Sequence, residues 1–261
     1  MKRFFNNIKN NSNYMTYSAT SELKTEVASS FLGWIWWILE PLCFMLIYVF
    51  IAQTVFRATE PHFELFVFIG LMIWNFFSKT ILCSVGLVKA NKGIVTKVYI
   101  PKYILLIIKM FVNFAKLMIS FAIALIFMII FGVPFQLSIF MFLINLIVLL
   151  IFTFGCASIM MHIGVFVEDL HNVTNIFLRL VFYASGIFFA VATRVPAPWG
   201  EILLTINPLA FLIDASRAVL IYNGVPNFLL LGCWLIIGLL LSVFGVACIH
   251  KFENTYVKVM K

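Results

Sequence analysis

Long apolar runs alternate with short polar stretches along nearly the whole chain. Runs of about 20 residues, the length that crosses ~30 Å of hydrocarbon as a helix, fall at 33–56, 63–85, 104–131, 137–164, 173–192 and 227–249. In lipid each segment must satisfy its own backbone N–H and C=O groups, so these runs predict six transmembrane α-helices. One further stretch, NPLAFLIDASRAVLIYNG at 207–224, holds a helical part from Pro208 to Tyr222. At 1.5 Å per residue it measures about 22 Å, too short to span comfortably. It reads as a re-entrant or surface-lying helix between the fifth and sixth spans, with Asp214 and Arg217 three apart and able to pair on one face. Ahead of the first run, Ala19, Leu23, Val27 and Phe31 recur every fourth residue, with Glu22, Lys24 and Glu26 off that stripe. This pattern predicts a short amphipathic helix lying along the interface.

Composition removes the soluble alternatives. Of 261 residues, 64% are hydrophobic and only 11% charged, whereas a soluble domain is about a quarter charged. The expected fold is an all-α integral membrane protein in two parts. Residues 1–32 form an N-terminal segment carrying the interface helix, and 33–261 form a six-span domain with a basic loop at about 84–102 and an outer segment at about 193–226. The polar first thirty residues lack the apolar core of a cleavable signal.

Charge then orients the spans. Eleven basic residues fall on one side: Lys2, Arg3, Lys9 and Lys24, then Lys89, Lys92, Lys97 and Lys102, then Lys251, Lys258 and Lys261. The other side shows Arg57, Arg194 and Arg217. By the positive-inside rule both termini are expected in the cytoplasm. The five cysteines sit in separate apolar runs with no CxxC or Cys/His spacing, so neither a disulfide nor a metal site is expected.

Candidate chemistry lies inside the spans. On a helix, Trp34, Trp37, Pro41, Phe44 and Tyr48 share one stripe. Trp34 and Trp36 suit a headgroup belt, while Phe44 and Tyr48 lie deeper and offer ring faces to a neighbour or to a ligand. Glu40 stands about 9 Å inside the boundary and needs a partner there, with Lys79 and Lys109 reaching a similar depth. In the third span Lys109, Asn113 and Lys116 form a polar stripe that must face protein or water. Lys116 has no obvious acidic mate in the sequence. No GxxxxGK[ST] phosphate loop and no catalytic cluster is present, and the four histidines are scattered. If ATP drives transport, the motor is a separate polypeptide. Its docking surface is then expected in the amphipathic helix (Glu22, Lys24), the basic loop (Lys89, Asn91, Lys92, Lys97) and the turn Glu168-Asp169.

Five stretches carry a resemblance. They are ELKTEVASSFLGWIWWILEPL (22–42), FIGLMIWNFFSKTI (68–81), NKGIVTKVYIPKYIL (91–105), FVEDLHNVTNIFLRLVFYASGIFF (166–189) and INPLAFLIDASRAVL (206–220). In this order and spacing the chain resembles the permease subunits of ABC-2-type polysaccharide exporters, the family that moves O-antigen, capsular polysaccharide and teichoic acid. The resemblance implies a homodimer in the bacterial cytoplasmic membrane, docked on two nucleotide-binding ATPase subunits that carry the ATP and Mg. It also implies outer gate helices within 193–226, where Asp214 and Arg217 lie. A sugar path lined by first-span aromatics follows from it too, placing Trp37, Phe44 and Tyr48 beside the polar Lys109, Asn113 and Lys116. The substrate implied is a lipid-linked glycan; no cofactor in this chain and no nucleic-acid partner is expected, and membrane lipids surround it. Family members commonly read Arg-Asp where this chain has Glu168-Asp169. Two other readings stay open: an ABC-2 exporter of a drug, lipid or peptide, and an ion-coupled carrier with Glu40, Lys79 and Lys109 as its relay.

Overall fold

The structure is a computed structural model that describes residues 2–28, 31–54 and 60–259; Arg57 and Lys261 of the charge bias lie outside them. The elements are α1 (Lys2–Asn10), α2 (Ser12–Ala28), α3 (Trp36–Thr54), α4 (Phe63–Ala90), α5 (Lys92–Val95), α6 (Lys102–Ile130), α7 (Met141–Phe166), α8 (Leu170–Ala184), α9 (Val191–Arg194), α10 (Trp199–Ile206), α11 (Pro208–Leu220) and α12 (Phe228–Val259). Among the described residues there is no strand. Five helices among the described residues are long and apolar enough to cross a bilayer. The pair α10 and α11, bent by 100° between them, makes a sixth if taken as one broken span.

Helix α4 is the axis of the bundle. It is apolar around its circumference, and such a helix is stable only when surrounded; accordingly it is the most buried of the long helices. It packs on α3, α6, α7, α8 and α11. The most extensive contact is between α7 and α12, where small residues let the backbones approach closely. A Cβ on Gly155 would stand 3.0 Å from the Gly238 carbonyl oxygen, and Ser242 on α12 donates to the Ile151 carbonyl at 3.1 Å. Gly164 fixes the α4–α7 crossing, since a Cβ there would come within 2.0 Å of the Val85 carbonyl oxygen. Both chain ends gather at the lysine-rich end of the bundle. Phe4 of α1 meets Tyr103 of α6 at 5.0 Å, and Tyr103 meets His250 of α12 at 5.3 Å.

Two expectations change. The run at 173–192 is helical only as Leu170–Ala184, about 22 Å long. Gly186, at φ +63°, then turns the chain back into the bundle, and Ile187 is fully buried. The amphipathic helix starts earlier than the stripe suggested and faces the core through Met15, Ala19 and Leu23. Phe31 lies past its end and is exposed. In the segment between α8 and α12, α11 does not lie on the surface: Leu209, Leu212, Ile213 and Val219 are buried against the bundle, chiefly along α4 and α7.

Candidate functional site

A seam of paired charge runs between α2, α3, α4 and α6. Lys79 on α4 donates to both carboxylate oxygens of Glu40 on α3, at 2.9 and 2.8 Å. The predicted pair therefore forms, but half-exposed rather than buried, and Lys109 has no part in it. Lys109 on α6 pairs instead with Glu22 of α2. Lys116, the cation with no evident mate in sequence, pairs with Glu26 one turn further along α2, at 2.6 Å. Asn113 donates to the Thr80 hydroxyl at 3.0 Å, both residues being buried. The polar stripe of α6 thus faces protein, as a polar stripe at that depth must face protein or water. Of the residues expected at the docking surface, Glu22 is partly covered by its pair with Lys109, while Lys24 stays exposed. Trp37 covers the seam, with the Lys116 ammonium 5.7 Å from its ring centre.

Phe44 and Tyr48 face a different neighbour. Their rings stack at 6.3 Å, and Tyr48 meets Phe188 at 4.2 Å and Phe182 at 6.2 Å. Phe182 continues to Trp74 of α4 at 5.3 Å. Phe44 and Tyr183 leave large ring areas uncovered along this α3–α8 face. The predicted path residues are therefore divided: Trp37, Lys109 and Lys116 belong to the seam, with Asn113 buried beside it, and Phe44 and Tyr48 belong to the aromatic face. An apolar groove of about 800 Å³ between α6, α7 and α12, floored by Phe4 and His250, contains none of them.

At the opposite end two side chains hold the break after α8 together. Asn207 caps α11, its Oδ1 accepting from the Leu209 and Ala210 N–H groups at 3.0 and 3.3 Å. Its Nδ2 donates to the Ala184 carbonyl at 3.1 Å, so one amide serves the end of α8 and the start of α11. Pro208 at the first helical position suits this cap. Arg217 is buried and donates to the carbonyls of Phe66 (3.0 Å), Gly186 (2.8 Å) and Ile187 (2.8 Å). Its guanidinium stacks 3.4 Å from the centre of the Phe66 ring. The expected pairing with Asp214 is replaced: among the described residues no ion pair within 4.0 Å joins the two. Carbonyls orphaned where the chain breaks at Gly186 claim the donors first, because unsatisfied backbone in an apolar interior is costly. Sequence reasoning missed Asn207, and the Asn-Pro step was the signal available for it.

The predicted docking surface is mostly open. Lys89, Lys92 and Lys97 are exposed around the short α5, with Asn91 partly covered where α4 ends, and Glu168 and Asp169 are exposed in the turn before α8. Two unpredicted contacts brace this end: Tyr99 donates to Glu253 at 2.9 Å, and His162 lies 2.6 Å from the Tyr256 hydroxyl.

The described residues form a helical bundle with five or six candidate membrane spans, a broken segment between α8 and α12, a basic face at one end and an exposed aromatic flank. The model of the ABC-2 type transporter family matches residues 16–221, and the chain belongs to that family. It is 29% identical to the O-antigen export system permease protein RfbA of Klebsiella pneumoniae over 241 residues, 92% of each chain. It is 26% identical to the protein of the same name from Myxococcus xanthus over 79% of each. Against the polysialic acid transport protein KpsM of Escherichia coli it is 24% identical, over 75% of this chain and 76% of that one.

Proposed function

We propose that the chain is the transmembrane subunit of an ATP-driven exporter that moves a lipid-linked polysaccharide across the bacterial cytoplasmic membrane. The observation that carries this is the similarity to O-antigen export permeases along 92% of both chains, supported by a relative named for polysialic acid transport. In this reading both termini and α5 are cytoplasmic. Two ATPase subunits carrying ATP and Mg dock on the exposed cations Lys89, Lys92 and Lys97 with Lys24, Glu168 and Asp169, and two copies of the chain face each other across the α3–α8 flank. Flat rings with scattered hydroxyls, as at Phe44, Tyr48 and Tyr183, suit a polymer that must slide without being held. Closure of the motor would push α5 and the α2 seam together against the spans, a rigid-body gate. The outer segment with Asp214 and Arg217 would form the gate on the far side.

Deleting the gene in its host and measuring surface glycan tests the reading, with the tagged permease purified in parallel. The expected result is loss of surface glycan, its restoration by the plasmid-borne gene, and co-purification of an ATPase. Normal surface glycan in the deletion strain contradicts it. A small-molecule ABC-2 exporter is separated by replacing Phe44 and Tyr48 with Ala, which should slow polymer export and spare small-substrate efflux.

A further inference from the structure

Five cations lie well inside the spans or α11, and four of them are used by the chain itself. Lys79, Lys109 and Lys116 each hold a glutamate, and Arg217 holds three carbonyls. Arg179 on α8 is different. It is exposed, and among the described residues no carboxylate lies within 4.0 Å of it. Its helix packs inward through Thr174 and Leu178, leaving Val173, Ile176, Phe177, Leu180 and Tyr183 exposed. Arg179 stands about 14 Å along α8 from Leu170, at 1.5 Å per residue. The residues three and four further on, Phe182 and Tyr183, sit at the level of Tyr48 and Trp74. A helical side chain leans back toward the helix N-terminus. Even one turn of leaning leaves the guanidinium roughly 8 Å short of the helix start. An unpaired guanidinium at that depth is tolerated only beside water or an anion.

We propose that Arg179 is the residue of this chain that takes an oxyanion of the exported glycan, gripping a phosphate or carboxylate with its two-pronged N–H fork while Phe44, Tyr48 and Tyr183 face the sugars. The proposal rests on the export reading and adds where charge is recognised. Lys109 and Lys116, the cations of the sequence-predicted path, are already neutralised by Glu22 and Glu26 of α2 respectively. The planar fork of an arginine matches such groups in two parallel bonds, which a lysine cannot reproduce. The oxyanion has two sources: the phosphate linking glycan to its lipid carrier, or acidic groups along the polymer.

The test is complementation of the deletion strain with wild type, Arg179→Gln, Arg179→Lys and Arg179→Leu, in one host whose polymer is neutral and one whose polymer is acidic. Surface glycan, membrane level of the permease and recovery of the permease–ATPase complex are read together. Gln and Leu should each lower surface glycan about tenfold or more at unchanged level and assembly, as loss of a charged hydrogen-bond partner implies, and Lys should retain an intermediate share. A loss in both hosts assigns the carrier phosphate, and a loss confined to the acidic polymer assigns the polymer. Normal export by Arg179→Leu overturns the proposal, as does a loss that merely tracks failed assembly, which would make Arg179 a contact between copies. If wild type itself restores nothing, the export reading falls and takes this role with it.

Discussion

The two ends of the bundle solve the problem of polarity in an apolar environment in opposite ways. At the end away from the lysines the backbone itself is broken, after Ala184 and again between α10 and α11. There the side chains of Asn207 and Arg217 close the orphaned Ala184, Gly186 and Ile187 carbonyls with hydrogen bonds. At the lysine-rich end the helices run unbroken and the polarity is in the side chains, paired across helices as Glu22–Lys109, Glu26–Lys116 and Glu40–Lys79. The difference predicts unequal sensitivity. Removing the buried Arg217 donor leaves the Gly186 and Ile187 carbonyls stranded, while an ion pair open to water contributes little. The end at these breaks is therefore structurally fixed, and the seam joins α2 to α6 through contacts that separate more easily.

Substitutions sharpen that contrast. Arg217→Leu should have the largest effect, lowering stability by about 3 kcal/mol or more through stranded carbonyls, read as loss of the thermal transition of the detergent-purified protein. Arg217→Lys should fall between, since a compact ammonium lacks the planar fork that reaches three separated carbonyls. Gly164→Leu comes next. Its side chain meets the Val85 carbonyl and should wedge α4 from α7 for about 1–3 kcal/mol, seen as a lower midpoint of unfolding with aggregation on purification. Asn207→Ala should cost about 1–2 kcal/mol, the value of a lost cap, with faster hydrogen exchange at Leu209 and Ala210 as its signature. The smallest effect belongs to the seam: the coupling energy of Glu22 with Lys109 in a double-mutant cycle should stay at about 1 kcal/mol or less. A coupling as large as the Arg217 effect would erase the distinction between the two ends.

Much of this was legible in the sequence, for identifiable reasons. Runs of twenty apolar residues leave lipid no other conformation than helix, so α3, α4, α6, α7 and α12 follow from length and pattern alone. Glu40 announced a partner because a carboxylate at that depth needs one, and Lys79 proved to be it. Which acid neutralises Lys109 or Lys116 was not legible, because Glu22 and Glu26 come from a peripheral helix whose docking face depends on tertiary packing. The early end of α8 was hidden for a similar reason. The apolar run continues past Ser185, and the chain turns only because Asn207 and Arg217, far along the sequence, are placed to satisfy what the turn exposes.

The measurement that bears most directly on the central claim is glycan transport in proteoliposomes, with the permease reconstituted alone and together with its co-purifying ATPase. A lipid-linked glycan supplied on the ATP side should reach the opposite leaflet only when both subunits and hydrolysable ATP are present. Equal movement by the permease alone, driven by an ion gradient, would contradict the account and favour a carrier using Glu40 and Lys79.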